Sequence, residues 1–303
     1  MDIKRADTSS PSLLQVLLGD PLLNLPSATS WMLPACLLVV SVSGLFNHCR
    51  IFRYCVKVFF FYITLSVVSF FSILPSLLRP MDPRNLLYCA NVLRGKGYLF
   101  GVEFEILNAE RISKNKRCIL VANHQNALDI MGIVSHWHHF HPCVPVMKKE
   151  LIYSGPVGVV CWLAGSVFVD RKNTIEGRAA LNRKLDTVRD GKLSLFVFPE
   201  GTRNTGPKML PFKKGAFHMA VQCQVPIVPI VFSSYSDFFN ANEWMYNKGK
   251  VTMTVLPEVS TEGLSSEHVT ELTRRVYDVM QTHIDEELAA AGNPAPRPGV
   301  AVS

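Results

Sequence analysis

A histidine and an aspartate five residues apart, His124 and Asp129, have side chains that together could do chemistry. They follow the apolar run of residues 118–122, which is typical of a buried strand. Positions i and i+5 lie roughly 140° apart on a continuous helix, so the two side chains can meet only if His124 precedes a helix that has Asp129 in its first turn. Asn126 would then be the N-cap. Such a pair suits a general base held by a carboxylate; the alternative is a variant capping box beside a loop histidine.

A second polar turn follows another apolar run. Residues 195–198 lead into Glu200, Gly201, Thr202 and Arg203. An open α/β sheet places its ligands at the ends of its strands, and the planar guanidinium of Arg203 matches a phosphate or a carboxylate. The alternative is a β-turn with a solvated arginine.

Together, the motifs His-x-x-x-x-Asp and Phe-Pro-Glu-Gly-Thr-Arg resemble the glycerolipid acyltransferase superfamily, and more closely its 1-acylglycerol-3-phosphate O-acyltransferases. The resemblance extends over residues 87–286. It includes four blocks in the family's order, namely residues 123–129, 165–171, 198–203 and 225–230. Residues 210–218 follow the third block as they do in that family. One position departs from the pattern, because the family usually has serine where this chain has Asn126; both residues are good N-caps.

The resemblance implies a reaction. An acyl group would pass from acyl-CoA to the sn-2 hydroxyl of 1-acylglycerol 3-phosphate (lysophosphatidic acid), giving phosphatidic acid and CoA. His124 is expected to act as general base on that hydroxyl, and Asp129 to orient the imidazole and stabilise its charged form. No covalent acyl-enzyme is expected, because the acceptor supplies the nucleophile, and no cofactor is expected, because acyl-CoA is a co-substrate. Backbone amides near Gly201 or at a helix N-terminus are candidates for binding the thioester oxyanion.

The resemblance also implies the substrate-binding residues Glu200, Gly201, Thr202, Arg203, Arg171 and Lys213. Arg203 is expected to bind the acceptor phosphate, while Glu200 orders the turn or hydrogen-bonds the glycerol. Gly201 permits a conformation or a close approach that a side chain would block, and Thr202 could be a turn residue only.

Two further basic residues in that set have ordinary alternatives. Arg171 ends a predicted strand in the second block, where it could contact phosphate or form a surface ion pair. Lys213 precedes a predicted helix and could reach a phosphate, but a solvated basic face would also explain it.

Four histidines lie within six residues, at His136, His138, His139 and His141. Imidazoles this close together could hold zinc. No cysteine, aspartate or glutamate nearby completes a recognised spacing, so we expect a solvated loop and no metal.

Composition limits the partners and the compartment. The formal net charge of +7 suits anionic lipid, phosphorylated substrates or nucleic acid equally. No nucleic-acid-binding motif with interleaved aromatic residues occurs, so we expect no nucleic-acid partner. The eight cysteines show no C-x-x-C spacing, which favours reduced, structural thiols and a catalytic face in the cytosol.

Two uncharged apolar runs, residues 31–46 and 58–78, precede the motifs. The second approaches the ~20 residues needed to cross a bilayer, while the first is short and contains Pro34, so a hairpin is as consistent as a clean span. Flanking basic residues do not fix the orientation, and no cleaved signal peptide is expected. These runs predict an integral membrane protein with an anchor separable from the catalytic residues, and the resemblance implies that the membrane is the endoplasmic reticulum.

From residue 118 onward, short apolar runs alternate with helical patterns, which favours βαβ units. Strands are predicted at residues 100–106, 118–122, 144–147, 167–169, 195–198, 227–232 and 251–256, and helices at 174–189 and 266–287. The expected fold class is α/β, a mostly parallel sheet with flanking helices, preceded by an N-terminal hydrophobic helical membrane region. The expected domains are residues 1–30, an N-terminal segment; 31–80, membrane-anchoring helices; 85–288, the acyltransferase catalytic domain; and 289–303, a disordered tail.

Other functions stay open at this stage. The same chemistry could act on another lysophospholipid or on glycerol 3-phosphate, or the chain could be a catalytically silent membrane lipid-binding scaffold. A scaffold has no chemical need for a base beside a phosphate-binding arginine, and the absence of G-x-S-x-G disfavours a serine hydrolase. The sequence predicts no particular protein partner.

Overall fold

The computed structural model describes residues 28–113, 116–170, 174–290 and 292. The predicted N-terminal segment and the predicted tail lie almost entirely outside the described residues. Contacts divide the chain into two compact units, residues 1–53 and 54–303. The first unit contains helix α1 (Ala28–His48) and the first turn of helix α2 (Arg50–Leu77).

The larger unit is built on a seven-stranded sheet. Its strands are β1 (Val102–Leu107), β2 (Ile119–Ala122), β3 (Cys143–Lys148), β4 (Val167–Val169), β5 (Ser194–Val197), β6 (Ile227–Phe232) and β9 (Gly249–Val255); the short strands β7 (Phe239–Asn240) and β8 (Met245–Tyr246) pair separately. The spatial order is β1-β9-β6-β2-β5-β3-β4, and each neighbouring pair is parallel except β6 with β9. The predicted mostly parallel sheet is confirmed.

Helices flank this sheet. They are α3 (Asn85–Leu93), α4 (Asp129–Ser135), α5 (Trp137–Phe140), α6 (Pro156–Leu163), α7 (Thr174–Asn182), α8 (Leu185–Arg189), α9 (Gly215–Cys223) and α10 (Val269–Ala290). The helix predicted at residues 174–189 is two helices, because a tighter turn interrupts it where the Lys184 N–H donates to Leu181 O at 2.9 Å. The closing helix α10 begins at Val269, after a 3₁₀ turn that Ser265 caps.

Alternate residues of β2 face two different cores. Leu120 and Ala122 pack in a cluster with residues of α2 to α5, whereas Ile119 and Val121 pack in a cluster with residues of α7 to α10. Successive side chains of a strand point to opposite faces, and all four are buried. A central parallel strand of this kind requires helices on both faces of the sheet.

Helix α2 has an unusual distribution of residues. Its buried positions are Phe61, Ser69, Ser72 and Ser76. Large apolar residues point away from the protein instead, and Phe71 and Leu74 are 72% and 75% exposed. Among the described residues, α2 is the one helix that is long and apolar enough to cross a membrane, judged by length and composition alone. Three of the four buried residues are small serines, and the fourth, Phe61, is large.

Candidate active site

Strand register brings two of the predicted motifs together. Strands β2 and β5 are parallel neighbours, with Val121 paired to Val197. His124 and Glu200 each come three residues beyond that pair, so the two polar turns leave the same edge of the sheet side by side. The His124 N–H donates to Glu200 Oε1 at 2.9 Å, and the Asn204 N–H donates to His124 O at 2.8 Å.

His124 and Asp129 form the predicted pair. His124 Nδ1 lies 2.7 Å from Asp129 Oδ2, and the Asp129 side chain is fully buried. The same oxygen accepts the backbone N–H groups of Gln125 and Asn126, at 2.7 and 3.1 Å. An ionised carboxylate only accepts hydrogen bonds, so Nδ1 carries the proton and Nε2 keeps its lone pair. The imidazole is therefore in the tautomer that a general base needs.

Asn126 is not the N-cap that the spacing predicts. Helix α4 begins at Asp129, and its N-cap position is Leu128, without a side-chain hydrogen bond. Asn126 Oδ1 instead accepts the Leu128 N–H at 2.7 Å and closes an Asx-type turn just before the helix. The expectation that His124 precedes the helix and Asp129 lies in its first turn is met.

Two amides that the sequence did not single out hold the His124 segment. Asn123 Oδ1 accepts the Phe232 N–H at 2.8 Å, and Asn123 Nδ2 donates to Phe232 O at 3.1 Å. Gln125 Nε2 donates to the carbonyls of Phe232 and Ser233, at 3.0 and 2.9 Å. These contacts depend on β6 lying beside β2, and no local sequence signal shows that pairing.

Glu200 is a buried residue that orders the turn. Besides the His124 N–H, its carboxylate accepts the Leu210 N–H at 2.8 Å and the Asn204 side-chain amide at 3.4 Å. Burial raises the pKa of Glu200, although these hydrogen bonds act in the opposite direction. Both oxygens are engaged within the protein, which favours the turn-ordering role over a hydrogen bond to glycerol.

Gly201 adopts a conformation that favours glycine, with φ of +73°. Its N–H donates to Phe198 O at 3.1 Å. This amide is therefore already bonded, which weakens its candidacy as an oxyanion donor. Thr202, next in the turn, is exposed.

A cavity of about 310 Å³ opens beside His124. Its walls come from α2, α4, α5 and α6 and are mostly apolar, with Tyr62, Ile133 and Trp137 among them. Arg203 also lines it and is exposed, and its guanidinium makes no hydrogen bond or ion pair to any described residue. The site thus combines a base, an apolar cleft and a free guanidinium, within the volume range of small-molecule sites.

The other predicted basic residues lie elsewhere. Lys213 lines a second cavity, whose lining includes Gly201 but not Arg203. Arg171 lies outside the described residues.

Tyr235 is a residue of this site that sequence reasoning missed. Burial, and then the nearby Asp129 carboxylate, raise the pKa of Tyr235. The Tyr235 hydroxyl and the Asp129 carboxylate do not meet the geometric criteria for a hydrogen bond. Both Tyr235 Oη and Asp129 Oδ1 are buried, and neither has a hydrogen-bond partner among the described residues. The only signal in the sequence is that Tyr235 follows an apolar strand.

The four clustered histidines do not form the expected solvated loop. They lie in and around helix α5 and are half-buried. Burial lowers the pKa of His138 to about 4, with His139 as the next cause. Among the residues that the structure describes, no group of three or more His, Cys, Asp or Glu side chains is placed to hold a metal ion.

A family model described as Acyltransferase matches residues 103–233, which include the His124–Asp129 pair. The human 1-acyl-sn-glycerol-3-phosphate acyltransferase alpha is 43% identical over 185 residues, 61% of this chain and 65% of the relative. The 1-acyl-sn-glycerol-3-phosphate acyltransferase of Haemophilus influenzae is 32% identical over 237 residues, 77% of this chain and 97% of the relative.

A solved structure agrees with these relatives. The crystal structure of the 1-acyl-sn-glycerophosphate (LPA) acyltransferase PlsC from Thermotoga maritima matches with a TM-score of 0.62 and 26% identity, covering 80% of this chain and 98% of that one. The chain belongs to the 1-acyl-sn-glycerol-3-phosphate acyltransferase family. Its match spans 64% of the length of the sheep alpha relative and 65% of the human one.

Proposed function

We propose that this protein is a membrane-bound acyltransferase that moves an acyl group from acyl-CoA to the sn-2 hydroxyl of lysophosphatidic acid, in phospholipid biosynthesis at the endoplasmic reticulum. The observation that carries the proposal is the His124–Asp129 pair, in which His124 Nε2 is left available as a base. His124 lines an apolar cavity that Arg203 also lines. An acceptor with an acyl tail and a phosphate matches this combination of an apolar cleft and an arginine.

His124 performs the proton transfer in this mechanism. Its Nε2 takes the proton of the acceptor hydroxyl as that oxygen attacks the thioester carbonyl carbon. Asp129 holds the Nδ1–H and stabilises the imidazolium that forms. The tetrahedral intermediate then expels the CoA thiolate, which receives the proton from His124. The acceptor supplies the nucleophile, so no acyl-enzyme and no cofactor are needed.

Arg203 binds the phosphate of the acceptor. Its guanidinium is exposed and unpaired among the described residues, so it is available for a bidentate contact with phosphate oxygens. Glu200 acts indirectly, by fixing the turn that carries Arg203 and the backbone of His124.

The membrane provides the route by which the acceptor enters. The outward face of α2 exposes residues such as Phe71 and Leu74, and the apolar surface continues at Leu78 and Trp162, which are 84% and 48% exposed. Asn85 bridges the two helices, because its Nδ2 donates to Ser76 O of α2 at 3.5 Å and to Leu163 O of α6 at 2.8 Å. Exposed apolar residues on helices that also line the cavity are suited to contact with lipid.

A transfer assay with a panel of acceptors tests this function. Membranes containing the protein are given labelled acyl-CoA with lysophosphatidic acid, lysophosphatidylcholine or glycerol 3-phosphate. We expect the highest kcat/KM with lysophosphatidic acid and phosphatidic acid as the labelled product. A preference for another acceptor would contradict the substrate, and transfer to none would contradict the enzymatic function.

A further inference from the structure

A second cavity, of about 650 Å³, lies on the face of the sheet opposite the His124 cavity. Leu181 and Met219 line it, and both belong to the core cluster of α7 to α10. Phe61 and Trp137 line the His124 cavity and belong to the other cluster, which includes α2. The second cavity therefore faces away from the apolar helix, toward the water-exposed side of the domain.

The two cavities meet at the end of β5. Phe196 lines the His124 cavity and Val197 the second one, as strand alternation requires. Phe198 lines both, and its ring stacks on the His124 ring with centroids 4.0 Å apart. A ligand that occupied the second cavity and continued past Phe198 would reach the base.

The second cavity carries positive charge. Lys213 and Lys214 line it. The Lys213 ammonium lies beside Gly201 and makes no hydrogen bond or ion pair to any described residue, whereas Lys214 Nζ donates to Thr270 Oγ1 at 2.8 Å. Both lysines immediately precede α9, whose positive N-terminal end adds to their field. Asp170 also lines the cavity, with Lys149 Nζ 3.7 Å from its carboxylate.

We propose that this cavity binds the phosphorylated nucleotide end of the acyl donor, with Lys213 contacting a phosphate and the thioester arm passing Phe198 to His124. Apolar walls suit a flat base, and the unpaired ammonium suits phosphate oxygens. The two substrates then approach from opposite faces of the sheet, the lipid acceptor from the side of α2 and the water-soluble head of the donor from the other side. This inference rests on the proposed function for the identity of the donor.

Direct binding of adenosine 3′,5′-bisphosphate tests the assignment without relying on activity. Equilibrium binding of the labelled nucleotide is measured on the detergent-solubilised full chain, with Lys213→Gln as the test variant. Lys192→Gln is the control, because Lys192 is an exposed lysine just before the amino end of β5, paired with Asp190. We expect saturable binding that Lys213→Gln weakens at least about tenfold, since charge-assisted hydrogen bonds contribute more than neutral ones.

The same variants separate this proposal from the proposed function. Lys213→Gln should raise KM for acyl-CoA and leave KM for lysophosphatidic acid unchanged. No binding by the wild-type chain, or equal binding by Lys213→Gln, would overturn the nucleotide site even if the protein transfers acyl groups. If the chain bound the nucleotide through Lys213 but transferred no acyl group, the nucleotide site would be supported and the proposed enzymatic function would be refuted.

Discussion

Glu200 holds the backbone of His124 and not its ring: Glu200 Oε1 accepts the His124 N–H at 2.9 Å, while the imidazole is oriented by Asp129. The base is therefore fixed twice, once through its main chain and once through its side chain. Because Glu200 is buried and also accepts the Leu210 N–H, one carboxylate joins the turn of the third block to the histidine of the first.

Replacing Glu200 with glutamine should weaken the link between the backbone of His124 and the turn of the third block. The amide oxygen of Glu200→Gln can still accept one N–H, but its NH₂ group then faces a second backbone donor. We expect a loss of about 1–3 kcal/mol in the free energy of unfolding, as for a buried donor left unsatisfied, together with lower activity. Thermal unfolding of Glu200→Gln and of the control Glu243→Gln measures this loss. Glu243 is a suitable control because its exposed carboxylate accepts a hydrogen bond from the Asn240 side chain. Equal stability of the two variants would contradict this role.

Arg203→Lys should raise KM for lysophosphatidic acid more than KM for acyl-CoA. A lysine is a point charge and cannot replace a bidentate guanidinium. Steady-state kinetics with each substrate varied in turn measure the effect, and Arg189→Lys, an exposed arginine paired with Asp186, is the control. If the two constants of Arg203→Lys moved together, Arg203 would not belong to the acceptor site.

Tyr235→Phe should lower kcat without changing either KM. The substitution removes the buried hydroxyl that interacts with the Asp129 carboxylate, and a hydrogen bond to a charged group contributes about 1.5–3 kcal/mol, or roughly tenfold to a hundredfold in rate. Tyr246→Phe is a matched control, because the Tyr246 hydroxyl is equally buried and unpaired among the described residues. Equal effects of the two substitutions on kcat would show that Tyr235 only fills space.

Phe61→Ala and Phe70→Ala should differ although both residues lie on α2. Phe61 is 3% exposed and part of the core, whereas Phe70 is 61% exposed. Truncation of a buried phenylalanine costs about 3–5 kcal/mol, and Phe61 also lines the His124 cavity. Unfolding and activity in detergent micelles should therefore suffer in Phe61→Ala only. Similar losses in both variants would show that α2 does not pack against the domain as described.

The sequence predicted the sheet well because its central strands are short apolar runs that end in polar turns. The predicted strand at residues 167–169 and that at 227–232 agree with β4 and β6 residue by residue. The spacing also predicted the one arrangement in which His124 and Asp129 can meet, with His124 before a helix and Asp129 in its first turn, although a capping box beside a loop histidine stayed open until the structure showed the contact.

Other features depended on contacts between distant residues. Spacing placed Asn126 at the N-cap, but helix α4 begins only at Asp129, and Asn126 Oδ1 accepts the Leu128 N–H in the turn before it. The sequence predicted an anchor that is separable from the catalytic residues, whereas Phe61 of α2 is part of the core of the larger unit. The resemblance implied that Lys213 and Arg203 both bind substrate, and the structure shows that they line different cavities.

The most direct test of the account is the rate of phosphatidic acid formation by His124→Ala in membranes, measured with labelled acyl-CoA and lysophosphatidic acid. Circular dichroism of the purified variant shows whether the protein is folded, and His268→Ala, which changes an exposed capping histidine, is the control. We predict that folded His124→Ala loses about 10²- to 10⁴-fold in rate, the usual contribution of a general base. Retention of most of the wild-type rate by folded His124→Ala would contradict the central claim.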